Sequence, residues 1–452
     1  MRPNAWFQCI RGCPERHPLS AILYRCPRCD ALLEVAHDLA ALRELADPAG
    51  WRARIAGRRG GAWPLQSGVW SAHELVQPHV AEEHIVSLGE GNSALLPAAR
   101  HAASIGLSEL YVKQCGTSHT GSFKDLGMTV LVSSVQQMIA DGAPIRAVVC
   151  ASTGDTSAAL AAYGAAAGIP VIVLLPAGKI SAAQLLQPLA HGALVCSLAT
   201  DFDGCMRVVQ RLSEDPTLYL ANSMNSLRVE GQKTIAVEIL QQLGWELPEW
   251  VLVPGGNLGN VSAIAKGFVE LRALGLIDRL PRLVCCQAHR ANPLYRAFAR
   301  ARAAGHPLRE EDYQAVVAGP TQASAIRIGA PVSLPKAIRA LHECDGLVEE
   351  ASEEELADAA ARGDRHGLFC CPHTGVALAC LEKLIARGVI LRDERVVVIS
   401  TAHGLKFSEF KAAYHEGRAE FPSHHQNRPV MLGAEPEAVV GAIHRLLDEA
   451  AT

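Results

Sequence analysis

The sequence has little excess charge, since 42 lysines and arginines face 46 aspartates and glutamates, for a formal net charge of −4. No strong field therefore attracts the protein to nucleic acid or to an anionic membrane, and a small-molecule partner is favoured. The one long apolar run, residues 158–177, is interrupted by Gly164, Gly168 and Pro170, which makes it a poor membrane span. No charged segment followed by an apolar stretch opens the sequence, and we expect a cytoplasmic protein.

Cysteine is plentiful, but its distribution argues against disulfides. Fourteen cysteines are scattered through 452 residues, of which 49% are apolar. The neighbouring pairs at 285–286 and 370–371 lie inside strand-like segments, so we expect most of these thiols to be reduced core residues. The length predicts two or three domains with substantial cores.

Apolar β-branched runs alternate with helical segments along most of the chain. The runs at 146–151, 170–176, 193–198 and 217–222 are separated by helices expected from Thr156, from Ser181 and before 217. A second series of runs lies at 250–256, 283–288 and 395–401, and Ser352 with Glu355 forms a capping box ahead of a further helix. This alternation is typical of α/β folds and predicts two parallel sheets.

Four unusual loops fall at strand ends or helix starts, where open α/β sheets bind ligands. They are HTGSFKDLGM at 119–128, CASTGDTSA at 150–158, GGNLGN at 255–260 and STAHGLK at 400–406. In the first, Lys124 precedes an apolar helix, and burial beside Phe123 would keep its amine neutral and able to attack a carbonyl. In the second and third, the free amides of a following helix can hold a carboxylate or a phosphate.

Each loop taken alone has an ordinary interpretation. Lys124 could be a surface lysine in the first turn of a helix, and residues 150–158 could be only a helix cap. The glycine-rich loop could be a tight strand-to-helix turn, and its spacing is not GxGxxG, which disfavours a dinucleotide site. The last loop could be a polar exit from a strand.

Taken together with ANSMNSLRVEGQKT at 221–234 and CPHTGVAL at 371–378, the loops resemble the threonine synthase family, most closely its plant-type branch. The resemblance covers residues 86–407. It implies the fold of fold-type II pyridoxal-phosphate enzymes, similar to the β subunit of tryptophan synthase. It also implies bound pyridoxal 5′-phosphate and a homodimer, and leaves regulation by S-adenosylmethionine open.

The resemblance assigns roles around the cofactor. Lys124 matches the lysine that carries the cofactor and moves protons at the substrate's α and β carbons. Asp155 lies where many members have an asparagine beside the phenolic oxygen of the ring, and a carboxylate there would repel a phenolate unless one of them is protonated. Thr401 matches the partner of the ring nitrogen. The cofactor phosphate is matched by one loop, which consists of Gly255, Gly256, Asn257, Leu258 and Gly259.

The resemblance also assigns the substrate contacts. Ser152, Thr153 and Thr156 match positions that hold the substrate carboxylate or reach its phosphate. Asn222, Ser223 and Arg228 match the substrate-phosphate site, in which an arginine can bind two phosphate oxygens at once. The implied reaction converts O-phospho-L-homoserine and water into L-threonine and phosphate by γ-elimination and β-hydration.

Other functions remain open at this stage. A paralogue such as a cysteate synthase also starts from a phosphorylated amino acid, and the sequence separates the two poorly. A threonine or serine dehydratase is disfavoured because it has no use for a second phosphate site. A non-catalytic metabolite sensor that keeps the fold is disfavoured by the intact Lys124 and phosphate loop.

Four cysteines near the start have the spacing of a zinc ribbon. Cys9, Cys13, Cys26 and Cys29 form CxxxC and CPRC pairs, with Gly12 and Pro27 placed for tight turns. We favour a structural zinc over free thiols, although the first pair is one residue longer than the commonest form. His17 is an alternative ligand.

These patterns together predict a division of the chain. We expect a zinc-ribbon-like segment at 1–37, a helical extension at 38–84 and a C-terminal appendage at 411–452. A large cofactor-binding α/β domain is predicted from 85–118 and 230–410, and a small α/β domain from 119–229.

Overall fold

The computed structural model describes residues 4–152, 154–177, 182–200, 202–212 and 214–451. In chain order its strands are β1 (Ala5–Cys9), β2 (Arg16–Pro18), β3 (Leu33–His37), β4 (Leu95–Pro97), β5 (Glu109–Gln114), β6 (Ala147–Ala151), β7 (Val171–Pro176), β8 (Leu194–Leu198), β9 (Leu218–Leu220), β10 (Trp250–Pro254), β11 (Arg282–Ala288), β12 (Leu347–Ala351) and β13 (Arg395–Ser400).

The helices follow the same numbering. They are α1 (Leu39–Leu45), α2 (Pro48–Arg59), α3 (His73–Val76), α4 (Ala99–Ser104), α5 (Lys124–Ala140), α6 (Asp155–Ala167), α7 (Ala182–Ala190), α8 (Phe202–Leu212), α9 (Leu227–Gln232), α10 (Thr234–Gln242), α11 (Gly259–Ala273), α12 (Pro293–Ala303), α13 (Leu334–Glu343), α14 (Glu353–Arg365), α15 (Pro372–Ala386), α16 (Ser408–Glu416) and α17 (Pro436–Ala451).

The four runs of the first predicted series form one parallel sheet in the order β8-β7-β6-β9. All four strands are confirmed. The helix expected from Thr156 begins one residue earlier, at Asp155, and the start expected at Ser181 lies outside the described residues.

The second series belongs to a six-stranded sheet in the order β12-β11-β10-β13-β5-β4. Its strands are parallel except β4, which pairs antiparallel with β5. The three predicted strands, β10, β11 and β13, are confirmed, whereas β4, β5 and β12 were not predicted. β10 is buried at every residue, as expected of a central strand covered on both faces.

The first 37 residues contain a small antiparallel sheet in the order β2-β1-β3, also missed by sequence. β1 and β3 alternate buried and half-buried residues, so one face of this sheet is covered by the rest of the protein. The register places Cys9 opposite Leu33. The two larger sheets fall within the ranges predicted for the large and small domains, and the division itself stays a prediction.

Two other expectations can be compared with the structure. The capping box is confirmed, because the Ser352 hydroxyl accepts from the Glu355 amide at 3.2 Å and the Glu355 carboxylate accepts from the Ser352 amide at 2.8 Å. Most of the fourteen cysteines are buried, as predicted. Among the described helices, none combines the length and the apolar character needed to cross a membrane.

Helices α5 and α9 pack backbone against backbone. A Cβ atom added at Gly231 would overlap the carbonyl oxygen of Leu126, and one added at Gly127 would lie 2.8 Å from the carbonyl oxygen of Arg228. Only glycine leaves room for this approach. The contact fixes the first turn of α5, which begins at Lys124, against the first turn of α9, which contains Arg228.

We expect Gly231→Ala to lower the free energy of unfolding by about 1–3 kcal/mol, because the added methyl group overpacks the contact between α5 and α9. Thermal unfolding of the purified variant measures the change. Gly57→Ala is the matched control, since Gly57 is exposed in α2 and an added Cβ would meet no atom within 4 Å. That control is expected to stabilise the protein slightly. Equal stability of the two variants would contradict the role given to the close contact.

Candidate functional site

The loop that carries Lys124 is held against the end of β13. The Phe123 amide donates to the Thr401 carbonyl and the His403 amide donates to the Gly121 carbonyl, each at 2.9 Å. Ser122 forms a bridge with Ala402 between these bonds. The antiparallel pairing places Lys124 next to Thr401, as the two predicted roles require.

The amine of Lys124 has an apolar neighbour and two charged ones. Its Nζ lies 4.2 Å from the ring centroid of Phe123, which is 9% exposed and forms the expected dry wall. The pKa of Lys124 is lowered to about 7, mainly by burial and in addition by the nearby Arg228 cation, while the Asp155 carboxylate acts in the opposite direction. Half of these amines are therefore neutral near pH 7, and a neutral amine is the nucleophilic form.

Asp155 opens α6 and is paired with a lysine to which the sequence assigned no role. Lys406 Nζ lies 2.8 Å from an Asp155 carboxylate oxygen. The same ammonium donates to the Thr120 carbonyl and to Gln187 Oε1, each at 2.9 Å. Lys406 therefore joins the Lys124 loop, α6 and α7, and its charge neutralises Asp155. The repulsion expected between this carboxylate and a phenolate is reduced accordingly.

The glycine-rich loop connects β10 to α11 and packs closely against neighbouring segments. A Cβ atom at Gly255 would overlap the sulfur of Cys285, and one at Gly256 would lie 2.8 Å from Ile326 Cα. Leu258 has a φ of +64°, which turns the chain into the helix that begins at Gly259. The free amides of the first turn of α11 and its dipole together favour a dianion such as a phosphate.

Asn257 and Asn260 differ in how they are used within this loop. The Asn257 side chain accepts from the Val332 amide at 3.2 Å and donates to Ser223 Oγ at 3.3 Å. This contact links the glycine-rich loop to residues 222–228, the predicted substrate loop. The buried amide group of Asn260 has no hydrogen-bond partner among the described residues. A buried polar group with no partner is costly, so it indicates a ligand at this end of α11.

Arg228 is the second anion-binding group of the site. Its side chain is 2% exposed, one Nη donates to the Ala221 carbonyl at 3.3 Å, and its Nε has no partner in the described part of the chain. Burial lowers the pKa of the guanidinium to about 10, so it stays a cation at pH 7. A buried cation without a carboxylate partner is expected to bind an anionic ligand.

The remaining predicted residues hold the two loops together. Asn222 accepts from the Ala151 amide at 3.1 Å and donates to the Ala151 carbonyl at 3.0 Å, which ties the substrate loop to the end of β6. Ser152 Oγ accepts from the Gly154 amide at 3.3 Å, and Thr156 is half-buried in the first turn of α6. Thr153 lies outside the described residues. Thr401 Oγ1 lies 3.8 Å from Cys371 Sγ, at the start of α15.

The four N-terminal cysteines form a separate cluster. Their sulfur atoms all lie within 4.8 Å of one another. The Cys9–Cys29 and Cys13–Cys29 sulfur distances are both 3.5 Å. Tetrahedral zinc with bonds of about 2.3 Å places thiolates roughly 3.8 Å apart. Gly12 has a φ of +78° and the Arg11 amide points at Cys9 Sγ at 3.4 Å, as expected of a metal-binding turn. His17 does not belong to this group.

Comparison with known proteins agrees with this geometry. The family described as "Pyridoxal-phosphate dependent enzyme" matches residues 86–402. The chain is 52% identical over 436 residues to threonine synthase 2, chloroplastic, of Arabidopsis thaliana, covering 96% of this chain and 83% of that protein. It is 40% identical over 400 residues to a threonine synthase of Methanocaldococcus jannaschii, covering 88% of this chain and 92% of that one.

Two solved structures have the same fold at low sequence identity. The threonine synthase of Escherichia coli matches with a TM-score of 0.65 and 19% identity, over 97% of this chain and 99% of its own. The processed form of threonine deaminase isoform 2 of Solanum lycopersicum matches with a TM-score of 0.58 and 17% identity, over 80% of this chain and 92% of its own.

We expect Lys124 to react with aldehydes with a midpoint near pH 7, because its amine becomes nucleophilic as it loses its proton. The measurement is reductive methylation of protein freed of bound carbonyl compounds, quantified for Lys124 by mass spectrometry across a pH series. Arg228→Gln should move the midpoint up and Asp155→Asn should move it down, since these neighbours act in opposite directions. A midpoint near the ordinary lysine value of about 10.4 would contradict the burial of this amine.

Proposed function

Because this chain belongs to the pyridoxal-phosphate-dependent enzymes and, among them, to the threonine synthase family, we propose that it converts O-phospho-L-homoserine and water into L-threonine and phosphate. The observation that carries the proposal is the presence of two anion-binding groups on loops joined by the Asn257–Ser223 hydrogen bond, with Lys124 close to one of them, Arg228. The start of α11 suits the cofactor phosphate, and the buried Arg228 suits a second phosphate. A substrate without a phosphate has no use for the second site.

The residues fit the cofactor, as the tight glycine turn and the unpartnered Asn260 indicate. Lys124 would hold it, and the amides of residues 255–259 would bind its phosphate. The Asp155–Lys406 pair would lie at its phenolic oxygen and Thr401 at its ring nitrogen, where a hydroxyl leaves that nitrogen less protonated than a carboxylate would. When bound, the cofactor withdraws electrons from the carbon that carries the substrate's amine.

Lys124 supplies the base. With its pKa near 7, the neutral amine can remove a proton first from the α carbon and then from the β carbon, and its protonated form can return one. The carbon–oxygen bond at the γ position breaks, and phosphate leaves with the electron pair. A proton returns to the γ carbon, water adds its oxygen to the β carbon and its remaining proton is released, and a proton returns to the α carbon. The sum of the steps replaces phosphate at the γ carbon with hydrogen and one hydrogen at the β carbon with hydroxyl, so that the substrate and one water give threonine and phosphate.

Arg228 and Ser223 hold the phosphate while this happens. Arg228 can donate two hydrogen bonds to phosphate oxygens, and Ser223 is oriented by its contact with Asn257. Ser152, Thr153 and Thr156 are proposed to bind the substrate carboxylate at the start of α6. We further propose that the phosphate released against Arg228 helps to activate the attacking water.

The direct test incubates purified protein with O-phospho-L-homoserine and measures threonine and phosphate, which should appear in equal amounts. Lys124→Ala should abolish turnover. Arg228→Lys keeps the charge but loses the bidentate contact with phosphate. We expect it to raise KM by about 10- to 100-fold, which corresponds to roughly 1.4–2.8 kcal/mol of binding free energy.

Release of ammonia from threonine or serine without phosphate would instead indicate a dehydratase. If Arg228→Lys does not change the ratio of elimination to hydration, phosphate is not involved in activating water.

We also propose that Cys9, Cys13, Cys26 and Cys29 bind one structural zinc ion. The proposal is supported by the closeness of the four sulfur atoms. Metal analysis of the purified protein should find about one zinc per chain, and Cys26→Ser should lose it. Cys344→Ser is the control, since Cys344 is buried outside the cluster. Zinc-free protein with an unchanged unfolding temperature would contradict a structural metal.

A cytoplasmic location and a homodimer stay predictions. The name of the Arabidopsis relative places that protein in the chloroplast.

A further inference from the structure

The N-terminal segment, residues 5–37, makes contacts at both ends of the predicted substrate loop. Tyr24, two residues before Cys26, accepts a hydrogen bond from the Leu220 amide at 2.7 Å. Leu220 ends β9, the edge strand of the four-stranded sheet, and β9 pairs with β6 on one side only. The tyrosine hydroxyl therefore satisfies an amide that has no strand to pair with. Asn222 follows two residues later.

The ring of Tyr24 strengthens this contact. It packs edge to face against Tyr219, with ring centroids 5.7 Å apart. The Tyr219 hydroxyl accepts from Asn225 Nδ2 at 3.1 Å, and the same amide donates to the Leu220 carbonyl at 3.0 Å. Asn225 Oδ1 in turn accepts from the Leu227 amide at 3.1 Å, next to Arg228. The position of Tyr24 is thus coupled to the backbone on both sides of the loop.

Strand β3 holds the other end of the loop. The Leu33 carbonyl accepts from Ser226 Oγ and, at 2.7 Å, from Lys336 Nζ. His37 Nε2 lies 2.8 Å from a carboxylate oxygen of Glu230, which is fully buried and also accepts from Lys233 at 2.6 Å. Arg228 lies between Ser226 and Glu230, so both of its near neighbours in the chain are bound to β3.

The cysteine cluster is adjacent to both contacts. Cys9 is opposite Leu33 in the register of β1 and β3, and Cys26 is two residues from Tyr24. A metal that fixes the four sulfur atoms fixes Leu33 and Tyr24 as well. Two short routes then connect the four cysteines to Arg228, one through Leu33 and Ser226 and the other through Tyr24 and Leu220. Each route contains one hydrogen bond between the N-terminal segment and residues 220–226.

We propose that the zinc-bound N-terminal segment positions the substrate-phosphate loop, with Tyr24 as a positioning residue for Arg228. The inference rests on the proposed function for the identity of the ligand, a phosphorylated amino acid. It predicts that loss of the Tyr24 contact weakens the binding of the substrate phosphate and leaves the cofactor site intact, because the start of α11 makes none of these contacts with Tyr24. A segment that served only the stability of the whole chain would affect cofactor content, kcat and unfolding together.

The test compares Tyr24→Phe with Tyr111→Phe in the cofactor-loaded enzyme. Tyr111 is the matched control, since its hydroxyl donates to Glu109 at 2.8 Å and has no contact with the substrate loop. We expect Tyr24→Phe to raise KM for O-phospho-L-homoserine by about three- to tenfold, the loss of one neutral hydrogen bond. Its kcat, zinc content and cofactor absorbance should match those of the wild type and of Tyr111→Phe.

A binding measurement separates this inference from the proposed reaction. Titration calorimetry with inorganic phosphate reports on Arg228 without turnover, and Arg228→Gln should abolish that binding. Tyr24→Phe and zinc-depleted enzyme should both bind phosphate more weakly than the wild type, and added zinc should restore binding in the depleted wild type. If phosphate binds and Tyr24→Phe weakens it while no threonine forms, the reaction is wrong and the positioning role stands. Equal phosphate affinity in Tyr24→Phe and wild type, or no phosphate binding at all, would overturn the inference.

Discussion

The packing of α5 against α9 sets the geometry on which the whole site depends. Gly127 and Gly231 let the two backbones approach so closely that no larger residue fits between them. Lys124 and Arg228 lie in the first turns of these helices, so one contact fixes the separation of the amine and the guanidinium. Burial then acts on both groups, lowering the pKa of each, and their charges influence one another.

The charges around Lys124 favour its neutral amine and leave the Arg228 guanidinium able to bind an anion. Asp155 is neutralised by Lys406, whereas Arg228 has no carboxylate partner among the described residues. The site is therefore net positive where a phosphate would bind. A second carboxylate near Arg228 would remove this property, because it would occupy the guanidinium and raise the pKa of Lys124. If Asp155 lies beside a phenolate, as the family resemblance predicts, its pairing with Lys406 reduces the repulsion between the two.

Sequence predicted most strands that are long apolar runs and missed strands that carry charged residues or are very short. β6, β7, β10 and β13 are such runs, and burial on both faces selects this pattern. β5 reads ELYVKQ and β12 reads LVEEA, so their charged residues hid them. Lys113 in β5 is fully buried against Glu238, a partner 125 residues away that no local pattern reveals.

The same limit applies to the site. Its residues were assigned through a family resemblance, and their roles stay predictions. The pairing of Lys406 with Asp155 was missed, although Lys406 ends a loop that the sequence analysis had singled out, because only the folded chain brings positions 155 and 406 together. The antiparallel sheet at 5–37 was missed for another reason. Its strands are short, and the cysteine spacing dominated the interpretation of that segment.

Tyr24 also has a consequence for how the folded protein meets other chains. An edge strand with free amide groups is a template on which a second polypeptide can add a strand, and β9 is an edge strand whose outward amide at Leu220 would be free without Tyr24. The hydroxyl of Tyr24 occupies the outward amide of Leu220, and the ring covers the strand beside Tyr219. The N-terminal segment thus covers this edge of the four-stranded sheet, so that a second chain cannot add a strand at Leu220 while Tyr24 is in place.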